Sequence, residues 1–427
     1  MSSSEKIGIL LLDLGEPPEY DEYTYYSFRD YAKTLVDIGL VSGEFLEEDR
    51  GTVLMNRESL NLDNGTNGSE YLDAWLKPVN GRGSKPRKKP AVSSIIRGST
   101  EDQRYLRNKG RGRGEPDFYE MYGFDVCQKW QMMGGRSPFF DQSMSIKDEV
   151  RDSLETRYGK KISVRMAYGM DPIPSKQKQT VDAVIKDFVK KDKITHLLVA
   201  EHFTVFTDVT SDLYLRKKIE NSLKEAKSRL PVSYTNQLGE NDSFAMGVAA
   251  KIQDEMKILP ERTNVMIALS HHGPPPTKVG DYDGEMDSYQ ENSKRVFETT
   301  RKKIMTTVQR RGQFDVVRVF AREMDHSYTG NHGLRTPKRA LDMAVSRKFD
   351  HYIEIPYEFP ADGVHVLVKL RQSYGIDPPR WNSVFETNFP YKSIKAKITS
   401  AYFYPEYKAR AYYSEITNVL DGLLRKD

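Results

Sequence analysis

The sequence contains almost no cysteine and no long apolar run. Cys127 is the one cysteine among 427 residues, which excludes an internal disulfide framework and a cysteine-cluster metal site. The longest apolar runs are strand-sized, such as Ile7–Leu12, whereas a membrane-spanning helix needs about 20 residues. The first residues lack the basic start and the cleavage site of a signal peptide. These absences predict a cytoplasmic protein without a transmembrane segment.

Neither sign of charge is in large excess. The 65 Lys and Arg residues and 61 Asp and Glu residues leave a net charge of +4, which is too small to predict a nucleic-acid partner. The basic stretch 82–113 has Tyr105 as its one interleaved aromatic, so we interpret it as a solvated insertion. The glycines form neither GxGxxG nor GxxxxGK[ST], which argues against a dinucleotide or P-loop site. We therefore expect no tightly bound cofactor.

Short apolar runs alternate with helical patterns along most of the chain. Val181, Val184, Ile185 and Phe188 recur at helical spacing, and a second such stripe lies within 296–308. Near-continuous apolar strands between helices are typical of parallel sheets covered on both faces. The predicted fold class is α/β, with two Rossmann-like, doubly wound parallel-sheet domains that face one cleft. The predicted strands are 7–13, 162–168, 196–203, 232–238, 265–271, 314–321 and 351–357.

The alternation breaks in two places, and these breaks shape the predicted domains. Residues 1–245 form the first Rossmann-like domain, with an inserted segment at about 50–130 that is rich in Gly, Asn, Arg and Lys. Residues 246–380 form the second Rossmann-like domain. Residues 381–427 are a C-terminal extension dense in tyrosine and phenylalanine, which we expect at the periphery. A homo-oligomer that forms through this extension is a further hypothesis.

Polar and ionisable residues follow six of the predicted strands. Ligands bind at the carboxyl ends of the strands in open parallel sheets, so these residues are the candidates for a site. The main candidates are Asp13–Glu16 after the first strand, Glu201–Phe203 after the third, His271–His272 after the fifth and Asp362 after the last.

The adjacent pair His271–His272 is the sharpest local feature. Neighbouring residues on a strand point to opposite faces, so one ring enters a crevice and the other needs a structural partner. Asp362 is the predicted N-cap of a helix whose buried stripe includes Val364 and Leu367. His365 then lies in the first turn, where imidazolium is disfavoured, so its ring stays neutral and able to bind a metal or accept a proton.

The order of these motifs resembles the ferrochelatase family, the class II chelatases that insert a divalent metal into a tetrapyrrole. The resemblance covers about two-thirds of the chain and excludes 50–130 and the extension. The matching segments are IGILLLDLGEP at the start, Gly134–Pro138, 163–172, VAEHFTVFT (199–207), ALSHHGPPP (268–276) and IPYEFPADGVHVLVKL (355–370).

The resemblance implies a small-molecule substrate, a tetrapyrrole, and roles for particular residues. It places the family's metal-handling histidine on His272, and it places on His365 the acidic residue that manages metal and pyrrole protons. The divalent metal, Fe, Co, Ni or Zn, is then a second substrate. On this basis we assign catalysis to His272, His365 and Glu16, metal contacts to His272, His365 and His202, and substrate contacts to Asp13, Gly15, Tyr25, Ser137, Phe203 and Asp362.

The sequence departs from the family pattern at four positions. The family's Asn and Thr in the first loop are Asp13 and Glu16, its second histidine is Gly363, and its acidic residue is His365. A histidine there resembles the anaerobic cobalt chelatases, in which two histidines serve the metal. Two alternatives therefore stay open. One is a chelatase fold repurposed for acid/base hydrolase, hydratase or lyase chemistry on a smaller aromatic substrate, and the other is a non-catalytic tetrapyrrole binder.

Overall fold

The chain divides into two compact units. A computed structural model describes residues 6–16, 53–56, 92–97, 103–108, 130, 133, 136–169, 179–273, 278–279, 282–283, 288–309, 312–320, 335–372, 374, 376 and 386–425. The larger unit comprises Met1–Pro18, Ser137–Thr277 and Gly284–Asp427, and the smaller unit comprises Glu19–Arg136 and Lys278–Asp283. All candidate site residues that the structure describes belong to the larger unit.

Strands and helices alternate along the described chain. In chain order, the strands are β1 (Ile7–Asp13), β2 (Val53–Asn56), β3 (Val92–Arg97), β4 (Gln103–Asn108), β5 (Ile162–Tyr168), β6 (His196–Glu201), β7 (Val232–Tyr234), β8 (Val265–His271), β9 (Lys278–Val279), β10 (Tyr282–Asp283), β11 (Phe314–Phe320), β12 (His351–Ile355), β13 (Thr387–Tyr391) and β14 (Ile394–Ile398).

The helices cover the faces of the sheets in the larger unit. Three of them contain π-helical stretches, over Phe188–Asp192, Asp208–Arg216 and His365–Lys369. In chain order, the helices are α1 (Phe139–Tyr158), α2 (Val181–Asp187, continued by Phe188–Asp192), α3 (Asp208–Arg216, continued by Lys217–Glu225), α4 (Asp242–Lys257), α5 (Tyr289–Thr307), α6 (Pro337–Ser346), α7 (His365–Lys369, continued by Leu370–Gln372) and α8 (Pro405–Leu424).

The first sheet of the larger unit is fully parallel. Its strand order is β5-β1-β6-β7. The central strand β1 is buried at every position, because IGILLLD offers no polar side chain before its last residue and both of its faces are covered. On one face, Ile9 and Leu11 pack with Val150 of α1 and Ile416 of α8.

The second sheet is parallel except at one edge. Its strand order is β11-β8-β12-β14-β13, in which β13 alone is antiparallel to its neighbour. The two parallel-dominated sheets confirm the predicted α/β fold with two Rossmann-like halves. All seven predicted strands are present, and among the described residues three of them, those predicted over 196–203, 232–238 and 351–357, end earlier than predicted. The boundary near residue 245 and the single cleft stay predictions.

The C-terminal segment 381–427 is not a peripheral addition, so that expectation was wrong. β14 pairs with β12 and extends the second sheet. α8 packs into the cores of both sheets, with Ala411 in one and Tyr412 and Ile416 in the other. Two aromatic side chains of this segment, Phe403 and Tyr412, are buried in these cores. Oligomerisation through it stays a prediction.

The smaller unit contains the predicted insertion. Its described strands form an antiparallel sheet of order β2-β4-β3 and the short pair β9 and β10. Most of 50–130 lies outside the described residues, as does Tyr25, one of the predicted substrate contacts.

Candidate functional site

A buried ion pair lies at the carboxyl end of β1. Asp13 ends the strand, and Lys147 of α1 places its Nζ 3.2 Å from Asp13 Oδ2, with both side chains shielded from solvent. Burial alone would raise the pKa of Asp13, but the Lys147 ammonium holds it well below its ordinary value. Burial lowers the pKa of Lys147, and Asp13 opposes that shift. Asp13 is therefore an ionised carboxylate with a buried partner.

His202 reaches the same ion pair from the end of β6. Its Nδ1 lies 3.5 Å from Asp13 Oδ2, and its ring stacks on Tyr412 with 5.0 Å between centroids. Within the described part of the chain, neither ring nitrogen has a hydrogen bond, although the residue is fully buried. Burial lowers the pKa of His202, which favours a neutral ring. The next residue, Phe203, is half-buried, and its carbonyl accepts a hydrogen bond from Leu238 N at 3.2 Å.

Glu201 does not share a site with His202. Adjacent residues of a strand project from opposite faces, and Glu201 lies beside Arg216, whose Nε is 3.5 Å from Glu201 Oε1. Neither carboxylate oxygen of Glu201 has a hydrogen bond among the described residues. Burial raises the pKa of this carboxyl group.

Glu16 connects the end of β1 with the loop that follows β12. Its carboxylate accepts hydrogen bonds from Ser137 Oγ and from Val364 N, which lies 3.1 and 3.2 Å from its two oxygens. The preceding Gly15 has a φ of +90°, a conformation that costs glycine little and other residues more. The structure thus brings three predicted residues together: Gly15, Glu16 and Ser137.

Glu358 organises the histidine pair at the end of β8. Its Oε2 accepts hydrogen bonds from His271 Nδ1 at 2.9 Å, from His272 N at 2.9 Å and from Tyr289 OH at 2.8 Å. His271 is fully buried, and its Nε2 also contacts Tyr357 OH at 2.6 Å. His271 therefore has the structural partners that the sequence predicts for one member of the pair.

His272 is the more accessible member of that pair. Its ring is only partly buried and lies 6.1 Å from the ring of Phe359, measured between centroids. The turn that follows is fixed, because Gly273 has a φ of +109° and donates from its N to Tyr289 OH at 2.9 Å. His272 thus stands on a backbone that is held at two consecutive residues.

The sequence predicts Asp362 as the N-cap of α7, and this prediction is wrong. Its carboxylate accepts hydrogen bonds from Ala401 N at 2.7 Å and Ser400 Oγ at 2.5 Å, while Glu16 binds the Val364 N–H near the helix start. Ser400 and Ala401, which follow β14, therefore bind the Asp362 carboxylate that the local sequence pattern assigns to the start of the helix. Burial raises the pKa of Asp362, and Ser400 and Ala401 oppose the shift.

Lys408 of α8 binds the loop that follows β12 through a buried ammonium group. Its buried Nζ donates to the carbonyls of Phe359, Pro360 and Ala401 at 3.3, 2.9 and 2.5 Å. Burial lowers its pKa to about 7. Lys408, like Lys147, was missed in the sequence. The available signal was a lysine at a position of an amphipathic helix that faces the core.

His365 is the first residue of α7 and so lies in the first turn, where the helical pattern of the sequence places it. Its side chain lies outside the described residues. Over the ranges that the structure describes, no group of three or more His, Cys, Asp or Glu side chains is arranged to hold a metal ion. In the same ranges, no helix has the length and hydropathy of a membrane span.

The Ferrochelatase family model matches residues 124–323. That segment is ferrochelatase-like. It contains Ser137, His202 and His272, and the match confirms the resemblance drawn from the sequence. No curated protein matches the chain.

The solved structures that are similar to this chain include two chelatase-related proteins. SirB from Bacillus subtilis, solved with Fe³⁺, is 10% identical with a TM-score of 0.41, and the match covers 65% of this chain and 88% of SirB. DR2241 from Deinococcus radiodurans, a multi-domain protein with structural similarity to chelatases and two additional novel domains, is 15% identical with a TM-score of 0.40. That match covers 64% of this chain and 51% of DR2241. The fold class itself rests on the two parallel sheets.

Proposed function

We propose that the protein inserts a divalent metal, Fe, Co, Ni or Zn, into a tetrapyrrole, with His272 and His365 as bases and metal ligands. One observation carries the proposal: inside the ferrochelatase-like segment, His272 presents a partly exposed ring at the carboxyl end of β8. Its neighbour His271 is buried with both ring nitrogens engaged. The backbone of His272 is held by Glu358.

Neutral imidazole suits both parts of this reaction. Insertion breaks two pyrrole N–H bonds and forms bonds from the ring nitrogens to the cation, so two protons leave as two positive charges enter. Imidazole accepts protons near neutral pH and is a ligand for Fe, Co, Ni and Zn. His272 and His365 each supply one such ring, and the metal passes through the site as a substrate.

The acid/base alternative needs a carboxylate that is free to move a proton, and the contacts of Glu16 disfavour it. The Glu16 carboxylate already accepts hydrogen bonds from Ser137 Oγ and Val364 N. Asp13 is ion-paired with Lys147. Because both carboxylates act as acceptors within the fold, metal insertion is the function that the geometry favours.

An optical experiment separates the three candidate functions. Purified protein is mixed with several porphyrins, alone and then with Fe²⁺, Co²⁺, Ni²⁺ or Zn²⁺, beside protein-free samples. We expect a Soret shift on porphyrin addition and the spectrum of the metalloporphyrin to appear faster than without protein. A Soret shift without faster metallation indicates a tetrapyrrole binder. If no porphyrin gives a spectral change, metal insertion and tetrapyrrole binding are both contradicted, and the acid/base alternative is left.

A further inference from the structure

Gly363 lies against the carboxylate of Glu16. A Cβ atom on Gly363 would lie 2.5 Å from Glu16 Oε2 and 2.9 Å from Oε1, well inside the roughly 3.5 Å at which such atoms make favourable contact. The backbone of Gly363 is not in the left-handed region, unlike that of Gly15 and Gly273. The carboxylate, and not backbone conformation, therefore excludes a side chain at this position.

The same carboxylate holds the start of α7. The N–H of Val364 precedes the first helical residue and would otherwise lack an acceptor at the helix start. It lies within hydrogen-bond distance of both Glu16 oxygens, at 3.1 and 3.2 Å. Gly363 O in turn accepts from Leu367 N at 2.8 Å. Glu16 thus reaches from the end of β1 to the residue directly before His365.

Glu16 and Gly363 are two of the four positions at which the sequence departs from the ferrochelatase pattern. They are far apart in the chain, yet the carboxylate of one occupies the space that a side chain of the other would need. The Glu16 carboxylate can therefore occupy this place only where position 363 has no side chain.

We propose that Glu16 is the positioning residue for His365, and that the missing side chain of Gly363 admits its carboxylate. Glu16 fixes the backbone at Val364, the residue directly before His365. The inference rests on the proposed function for the catalytic role of His365, whereas the contact between Glu16 and residues 363–364 does not.

The test uses the full-length protein and a set of matched variants. Glu16→Ala removes the carboxylate, Gly363→Ala displaces it, and the double variant does both. Glu16→Gln keeps the volume and one acceptor oxygen for Val364 N. The control is Gly422→Ala, because Gly422 is an exposed α8 residue where a Cβ meets no atom within 4 Å. Two quantities are measured: the NMR signal of the His365 ring, identified by its loss in His365→Gln, and the porphyrin metallation rate.

Glu16→Ala and Gly363→Ala should each shift the His365 signal and lower metallation by about 10²-fold, the loss expected for a displacement of about 1 Å. The double variant should be no worse than Glu16→Ala, since both changes remove one contact. Glu16→Gln keeps an acceptor for Val364 N and should lose less activity than Glu16→Ala, and Gly422→Ala should match wild type.

Two results would overturn the positioning role. One is a His365 signal that Gly363→Ala leaves unchanged. The other is a double variant whose metallation loss is the product of the two single losses. If the His365 signal shifts as expected but no form of the protein metallates a porphyrin, the positioning stands and the proposed function fails.

Discussion

The carboxyl ends of the two sheets each hold a buried charged cluster, and the clusters differ in access to solvent. In the first sheet, Asp13, Lys147 and His202 are all shielded. In the second sheet, His271 is equally buried, but its partner Glu358 also fixes the backbone of the partly exposed His272. The carboxyl end of the first sheet therefore carries a cluster that supports the fold, whereas the carboxyl end of the second sheet presents the partly exposed ring of His272.

The largest expected effect separates the two histidines of the second sheet. His272→Ala should lower the metallation rate by about 10²–10⁴-fold, the range for loss of a general base, with little change in unfolding free energy. His271→Ala should instead lower the unfolding free energy by about 1–3 kcal/mol, because Glu358 and Tyr357 lose a buried partner. Metallation rates and denaturant unfolding measure the two effects.

The control for this comparison is His196, a histidine at the amino end of a strand and not at the carboxyl end. His196 begins β6, and its Nε2 contacts Ser233 Oγ at 2.9 Å, so His196→Gln should metallate like wild type. Equal rate losses for His271→Ala and His272→Ala would show that the ring serving the reaction has been wrongly assigned.

The next effect concerns the sealed cluster of the first sheet. Lys147→Met leaves the Asp13 carboxylate buried without its cation, which should lower the unfolding free energy by about 3–5 kcal/mol. The matched control is Lys257→Met, whose exposed pair with Asp254 has a distance of 2.7 Å and should contribute at most about 1 kcal/mol. Chemical denaturation of both variants measures the difference. Equal losses would contradict the buried-pair account.

A third effect is a difference in pH dependence between the sheets. Burial raises the pKa of Glu354 on β12 to about 8, from an ordinary value of 4.5. The folded state holds this proton where the unfolded state releases it. The contribution to stability is therefore complete below pH 4.5 and is lost as the pH rises toward 8.

His202 acts in the opposite direction. Burial lowers its pKa from 6.5, so its contribution to stability is present above that value and is lost as the pH falls below it. Glu354→Gln should remove part of the decline in unfolding free energy between pH 4.5 and 8, measured by denaturant titration. A variant with the same slope as wild type would show that Glu354 does not titrate in this range.

Strands with uninterrupted apolar runs could be predicted from the sequence, and β1 and β8 are the clearest cases. β14 was missed because IKAKI places lysines between its buried residues and lies in a segment interpreted as an extension. The segment from 265 to 271 was also predicted to end in a functional histidine pair. The strand pattern alone could not tell which of the two rings is buried, since Glu358 decides it from another strand end. The resemblance assigned the functional ring to His272, and His271 is the buried one.

The remaining misses share one physical cause. Asp362 was assigned to its own helix because an N-cap is a local pattern, but Ser400 and Ala401 bind its carboxylate from a distant part of the chain. The contact of Glu16 with Gly363 is of the same kind. Partners from distant parts of the chain produce no regular spacing pattern in the sequence. The candidate residues could therefore be named, but their partners could not.

Porphyrin metallation by wild type and His365→Glu, measured side by side with Fe²⁺, Co²⁺, Ni²⁺ and Zn²⁺, tests the central claim most directly. His365→Glu restores the residue that the ferrochelatase pattern expects at this position. We predict that wild type metallates at least one porphyrin, and that the variant keeps insertion with an altered metal preference. If neither protein metallates any porphyrin with any of these metals, the chelatase function is wrong.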